Sequence, residues 1–121
     1  MKRRETGILG ENLARGYLEK LGYHILESNY RCPESEIDIV AKDKDYIVFV
    51  EVRTKRSLEF GSPEESITSA KIKRLRASVL YYLQAHPDLS QLSRIDVVVV
   101  ELNYEGEISR IDLIENAVGG D

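Results

Sequence analysis

Ser35-Glu36-Ile37-Asp38-Ile39-Val40-Ala41-Lys42-Asp43, then Lys44-Asp45, then Tyr46-Ile47-Val48-Phe49-Val50-Glu51-Val52-Arg53 is the stretch on which the fold turns. Glu36 to Lys42 reads as one strand, with Ile37, Ile39 and Ala41 on one face and Glu36 and Asp38 on the other, because side chains alternate along extended chain. Tyr46 to Arg53 reads as the next, with Val48, Val50 and Val52 on one face and Phe49, Glu51 and Arg53 on the other. Lys44-Asp45 is short enough for a hairpin turn. If Asp43 pairs with Tyr46, stepping outward sets Asp38 opposite Glu51 and Glu36 opposite Arg53. Directly opposed carboxylates destabilise a strand pair. A divalent cation held by both removes that repulsion, and Mg²⁺ takes oxygen ligands of this kind. Taken alone, the hairpin fits an amphipathic pair with a solvated polar face better, since charged side chains usually lie outside.

Outward from the hairpin, residues 7 to 22 read as a helix. Leu9, Leu13, Tyr17, Leu18 and Leu21 recur at helical spacing, and Gly22 is a natural stop. Tyr23 to Tyr30 reads as a strand and Arg31 to Glu34 as a loop. Residues 54 to 62 read as a loop leading to Ser62 and Glu65, spaced as a capping box with Pro63 at a first helical position. Thr68 starts a longer helix, whose stripe Ile72, Leu75, Val79, Tyr82 and Leu83 runs to about Gln84. Arg94 to Leu102 holds a β-branched run typical of a buried strand, and Ile108 to Ile114 is the last strand. The order α-β-β-β-α-β-β over one domain, residues 1–121, predicts an α/β mixed sheet flanked by helices. The connections among the first three strands are too short for parallel crossovers.

With 17 Lys and Arg against 21 Asp and Glu, the net charge of −4 argues against a general polyanion binder. It leaves room for a nuclease, whose carboxylates are neutralised by bound metal. Cys32 is the single cysteine, so no intrachain disulfide forms, and with His24 and His86 it makes no recognisable zinc site. Cys32 reads as a passive thiol. Met1-Lys2-Arg3-Arg4 is followed by no apolar signal region, and no apolar run approaches membrane-spanning length. The expectation is a cytoplasmic protein that does not meet the membrane.

Ser35-Glu36-Ile37-Asp38-Ile39-Val40 followed by Val48-Phe49-Val50-Glu51-Val52-Arg53 resembles the split acidic signature of the PD-(D/E)xK nucleases. The chain as a whole resembles the YraN-type family of bacterial proteins, related in fold to archaeal Holliday-junction resolvases. Gly7, Gly10-Glu11, Asn29-Tyr30-Arg31, Phe60-Gly61, Lys71 and Arg94-x-Asp96 carry the likeness beside the acidic pair. The resemblance implies a restriction-endonuclease-like fold and Mg²⁺- or Mn²⁺-dependent hydrolysis of DNA, branched or structured DNA included. It implies Asp38 and Glu51 as metal ligands and Glu11 as an acidic helix residue supporting the metal or its waters. Arg53 falls where the family signature has Lys. Arginine does not give up its proton, so it can offset charge on the phosphate but not act as a base.

Two basic clusters follow the acidic strands: Arg53-Lys55-Arg56 and Lys71-Lys73-Arg74-Arg76. Both are expected to hold phosphates, with Lys71 the residue matched by the resemblance; a solvated helix face is the alternative. Tyr81 and Tyr82 read as packing residues, and Arg94 with Asp96 at least as readily as a structural ion pair as a functional one. Three readings stand: a catalytic nuclease, a nucleic-acid-binding module that keeps the nuclease fold without cutting, and an acidic protein-interaction domain. Analogy with resolvases adds a homodimer to the expectations.

Overall fold

The computed structural model describes residues 3–56, 61 and 63–117. Helix α1 spans Arg3–Lys20, β1 His24–Arg31, β2 Glu36–Asp43 and β3 Tyr46–Arg56. A 3-10 turn at Pro63–Ser66 leads to α2, Ser69–Ala85, followed by β4, Ser93–Leu102, and β5, Ile108–Ile114. The expected order therefore holds, with β3 three residues longer than the loop reading of 54–62 allowed. Its added residues Thr54, Lys55 and Arg56 pair with Val100, Glu101 and Leu102 of β4. Ser62 and Phe60 lie outside the described residues.

The five strands form one sheet in the order β1-β2-β3-β4-β5. All neighbours are antiparallel except β3 and β4, which run parallel because the connection between them passes through α2. Hydrophobic packing covers both faces. Ala14 and Leu18 of α1 pack with Ile39, Ala41, Val48, Val50, Val52, Val98 and Val100. Leu75, Val79, Tyr82 and Leu83 of α2 pack with Val40, Ile47, Phe49 and Ile95 on the other side. This two-sided burial is why β3 and β4 are nearly continuous apolar runs.

Local signals act at the helix ends. Gly22, at φ 97°, reverses the chain after α1, and Tyr23 N–H reaches the Leu18 carbonyl at 3.0 Å. Leu21, expected in the apolar stripe, is 49% exposed, because the helix has ended and the turn carries it outward. Thr68 caps α2, its side chain accepting from the Lys71 N–H at 3.1 Å. Tyr82 is a packing residue, edge-on to Tyr30 and Phe49.

Arg94 and Asp96 form a structural network near the β2–β3 turn. Buried Asp96 accepts from Arg94 Nε at 3.0 Å, from the Tyr23 hydroxyl at 3.0 Å and from Asn116 N–H at 2.9 Å. Arg94 also reaches Asp43 at 2.9 Å, so one guanidinium ties β4 to the hairpin end. No described helix is long and apolar enough to cross a membrane.

Candidate active site

The site begins with a break in strand alternation. Ser28 pairs with Ile39 and Tyr30 with Ile37, so Asn29 and Asp38 face each other across β1 and β2. Asn29 sits at φ 55°, in the left-handed region that asparagine tolerates better than most residues. The phase of the side chains changes here. Ile39 packs on the α1 side of the sheet, whereas Ile37, two residues away, packs on the α2 side. Ser28 meets Arg15 of α1 at 3.2 Å, while Tyr30 packs on Tyr82 of α2. The sequence expectation of a shared face for Ile37 and Ile39 is thereby corrected: the two pack in different core clusters, on either side of Asp38 and opposite the left-handed Asn29. The shift brings Asp38 to the α1 side, beside Glu11.

The β2–β3 register is the expected one, running from Asp43–Tyr46 to Ile39–Val50. The ladder then ends. In place of a main-chain partner, Val52 N–H donates to Asp38 Oδ2 at 2.8 Å. Past this point the strands no longer pair, and the expected opposition of Glu36 and Arg53 gives way. Glu36 bonds Arg31 at 3.0 Å, its partner across β1, and Arg53 Nη1 bonds Glu51 Oε2 at 3.1 Å. Lys71 of α2 reaches the same Oε2 at 3.3 Å.

The polar face is buried at Glu51, while Glu36 and Arg53 keep partial contact with solvent. Glu51 is 2% exposed, and its Oε1 is buried with no hydrogen-bond partner among the described residues. Burial, then the neighbouring Glu51 charge, pushes the Asp38 carboxyl up to about 8 against the opposing Val52 N–H. Burial, followed by the Glu36 charge, also raises the Glu11 carboxyl; Arg15 and Asn29 oppose the shift. The raised Glu11 and Asp38 carboxyls beside the buried Glu51 fit a divalent cation, which would bind their charged forms and would give Glu51 Oε1 a partner.

Helix α1 delivers Glu11 because Gly10 lets it approach β3. A Cβ at Gly10 would overlap the Thr54 side chain, with Thr54 Cβ and Cγ2 both 2.9 Å away. Glu11, Asp38, Glu51, Arg53 and Lys71 then line one cleft of about 440 Å³.

Residues 10–115 match the model of a family described as Uncharacterised protein family UPF0102. The chain belongs to family UPF0102. A UPF0102 protein of Caldicellulosiruptor saccharolyticus is 45% identical over 97% of this chain and 99% of its own length. One of Dehalococcoides mccartyi is 49% identical over 97% of this chain and 95% of its own. One of Syntrophus aciditrophicus is 49% identical over 93% and 87%.

The basic residues of this UPF0102 chain divide by position. Arg53, Arg56 and Lys71 line the cleft, joined by Arg3. Lys73 and Arg74 are exposed on α2 and Lys55 is half-buried, none of them lining the cleft; Arg76 lines a separate cavity of about 310 Å³ with Val79 and Leu80. Adjacent residues of a helix point about 100° apart, so the cluster on α2 could not all face one cleft. Sequence reasoning missed Arg3, which no motif marks, and the closeness of Asn29 and Glu36 to Glu11. Asn29 carries only the family likeness, and the hairpin register that sets Glu36 opposite Arg53 stops short of both.

Proposed function

We propose that this UPF0102 chain is a metal-dependent nuclease of the restriction-endonuclease-like, PD-(D/E)xK class that hydrolyses phosphodiester bonds in DNA. The observation that carries the reading is the buried Glu51 carboxylate, with one oxygen partnerless and the other held by two cations, in a cleft shared with Asp38 and Glu11. Charge of this density has no use in the core and destabilises it; it is suited to a cation and a phosphate. The acidic signature and the likeness to resolvases support the same class.

Asp38 and Glu51 are the metal ligands, with Glu11 supporting the metal or its waters. A bound Mg²⁺ or Mn²⁺ supplies Lewis acidity toward a phosphate oxygen and a lowered pKa for the attacking water. Lys71 and Arg53, fixed by Glu51, stand ready to offset the charge that develops on the phosphate. Lys71 is also the amine of the site, able to pass a proton where Arg53 is not. Arg3 and Arg56 extend the positive lining along the cleft for the DNA backbone.

The second reading is a DNA-binding module that does not cut. Arg53 at the signature Lys position, bonded to Glu51, favours it. Plasmid, single-stranded and four-way-junction DNA are incubated with Mg²⁺, Mn²⁺ or chelator, using the wild type and Asp38→Asn. Metal-dependent cleavage by the wild type alone is expected. Equal trace cleavage by both proteins overturns the nuclease reading, and retained DNA binding then selects the module.

A further inference from the structure

The segment that carries Lys71 into the cleft has little apolar anchorage. From Glu64 to Arg74 no described residue is buried; Leu75 is the first that is, about one helical turn beyond Lys71. The hydrophobic contacts that dock α2 therefore begin after Lys71, and polar contacts must hold its first turn. Arg110 of β5 supplies one. Ile111 and Leu113 pack in the α1-side core, so Arg110 and Asp112 alternate to the face on which α2 lies. There Arg110 donates to both carboxylate oxygens of Glu64, from Nη2 to Oε2 at 2.7 Å and from Nη1 to Oε1 at 3.3 Å. The same guanidinium is steadied by Asp112 at 2.8 Å and by Glu101 at 3.3 Å. Ion pairs open to solvent usually contribute little, but a two-pronged arginine–carboxylate pair within a network is the exception.

From Glu64 to Lys71 the chain is joined by hydrogen bonds. Ile67 N–H reaches the Glu64 carbonyl at 3.1 Å. Thr68 accepts the Ile72 N–H on its carbonyl at 3.0 Å and the Lys71 N–H on its hydroxyl at 3.1 Å. Lys71 Nζ then meets Glu51 Oε2 at 3.3 Å. A clamp on Glu64 is thereby passed along the 3-10 turn and the helix cap to the amine in the cleft.

We propose that Arg110 is a positioning residue for Lys71: by clamping Glu64 to β5 it holds the first turn of α2 where the Lys71 amine meets Glu51. What Lys71 does there rests on the nuclease reading; how it is held does not. Arg110 itself lines no part of the cleft and acts only through Glu64.

The test reads Lys71 without metal or DNA. The full chain is treated with a limiting amine-acylating reagent, and mass spectrometry follows each lysine, with the exposed Lys42 and Lys73 as references. In Arg110→Ala and in Glu64→Gln, Lys71 is expected to acylate about fivefold faster than in wild type, the effect of one networked ion pair, with the references unchanged. Arg110→Lys, which keeps the charge but loses the fork, should fall between. Arg110→Glu should be the fastest, and Arg110→Glu combined with Glu64→Arg should return Lys71 toward the wild-type rate. A wild-type rate at Lys71 in both Arg110→Ala and Glu64→Gln, folded by circular dichroism, overturns the proposal. So does equal acceleration at all three lysines, the mark of general loosening. Neither result touches the nuclease reading. Where the wild type cleaves DNA, Arg110→Ala is also expected to lower the single-turnover rate about fivefold, with no further loss in the Lys71→Met background. A further loss there means that Arg110 acts by another route, and overturns the proposal.

Discussion

Asp38 Oδ2 accepts the Val52 N–H at 2.8 Å, and the same carboxyl lies against Glu51, whose side chain is 2% exposed. One group thus closes the end of the β2–β3 ladder and carries a charge that its neighbour opposes. Its pKa is pushed from 3.8 to about 8, chiefly by burial. Between those values the folded protein keeps a proton that the unfolded chain releases. Stability of the metal-free protein therefore falls as pH rises from about 4 to 8 and levels off above. Asp38→Asn, a neutral isostere, is expected to match the wild type near pH 4 and to exceed it by on the order of 1–3 kcal/mol at pH 8.5. Urea unfolding across pH checks this; a difference that does not change with pH removes Asp38 as its source.

The same proton must leave before a cation binds. Mn²⁺ affinity is expected to rise about tenfold per pH unit below about pH 8 and then flatten, with close to one proton released per ion below that point. Calorimetry in two buffers of different ionisation enthalpy measures the release. A pH-independent affinity between pH 6 and 8 contradicts the assignment.

Lys71 and Arg53 share Glu51 Oε2 but differ in chemistry. Arg53→Lys is expected to keep or raise Mg²⁺-dependent cleavage, because an ammonium both holds the charge and can exchange a proton. Arg53→Ala should cut more slowly than either. Lys71→Met is expected to lower the single-turnover rate about a hundredfold, the scale of a lost charge or proton donor. Equal rates for Lys71→Met and wild type would leave the amine a purely structural partner of Glu51.

The division of basic residues predicts unequal effects on DNA binding. Arg56→Ala and Lys71→Ala, in the cleft, should each lower affinity and reduce the salt slope by about one. Lys73→Ala and Arg74→Ala, on the exposed face of α2, should change either quantity less. Fluorescence anisotropy over a salt series separates them, and the reverse ranking would place the DNA on the helix face instead of in the cleft.

Gly10 is tested by stability. Gly10→Ala would raise helix propensity but force its Cβ into Thr54, and the steric term is expected to win, destabilising by about 1–3 kcal/mol. Thr54→Ala in the same chain removes two of the three overlapping atoms and should recover part of the loss. Thermal unfolding of the single and double variants reads it; a neutral or stabilising Gly10→Ala would show that α1 shifts without penalty.

The two-residue Lys44-Asp45 turn determined the hairpin register, and the alternation of Ile39, Ala41, Val48 and Val50 agrees with it, because a one-residue slip would move every apolar side chain to the wrong face. From that register the meeting of Asp38 with Glu51 was legible. So were the element order and the Gly22 and Thr68 helix ends, all set by neighbours close along the chain. Tertiary structure decided the rest. The register of β1 against β2 shifts between Ile25 and Glu27, and the left-handed Asn29 sits opposite Asp38; a strand pattern read from one strand does not register an irregularity in its partner. Glu36 was placed opposite Arg53 only while the ladder was assumed to continue; it ends at Ile39–Val50, so Glu36 turns to Arg31 and Arg53 to Glu51. Lys71 enters the cleft and Lys73 does not because α2 docks through Leu75, Val79 and Tyr82 and thereby chooses its own rotation. Arg3 arrives because Gly10 allows α1 to lie close on Thr54. Contacts between residues far apart in sequence depend on how helices dock on the sheet, and no local periodicity encodes that placement.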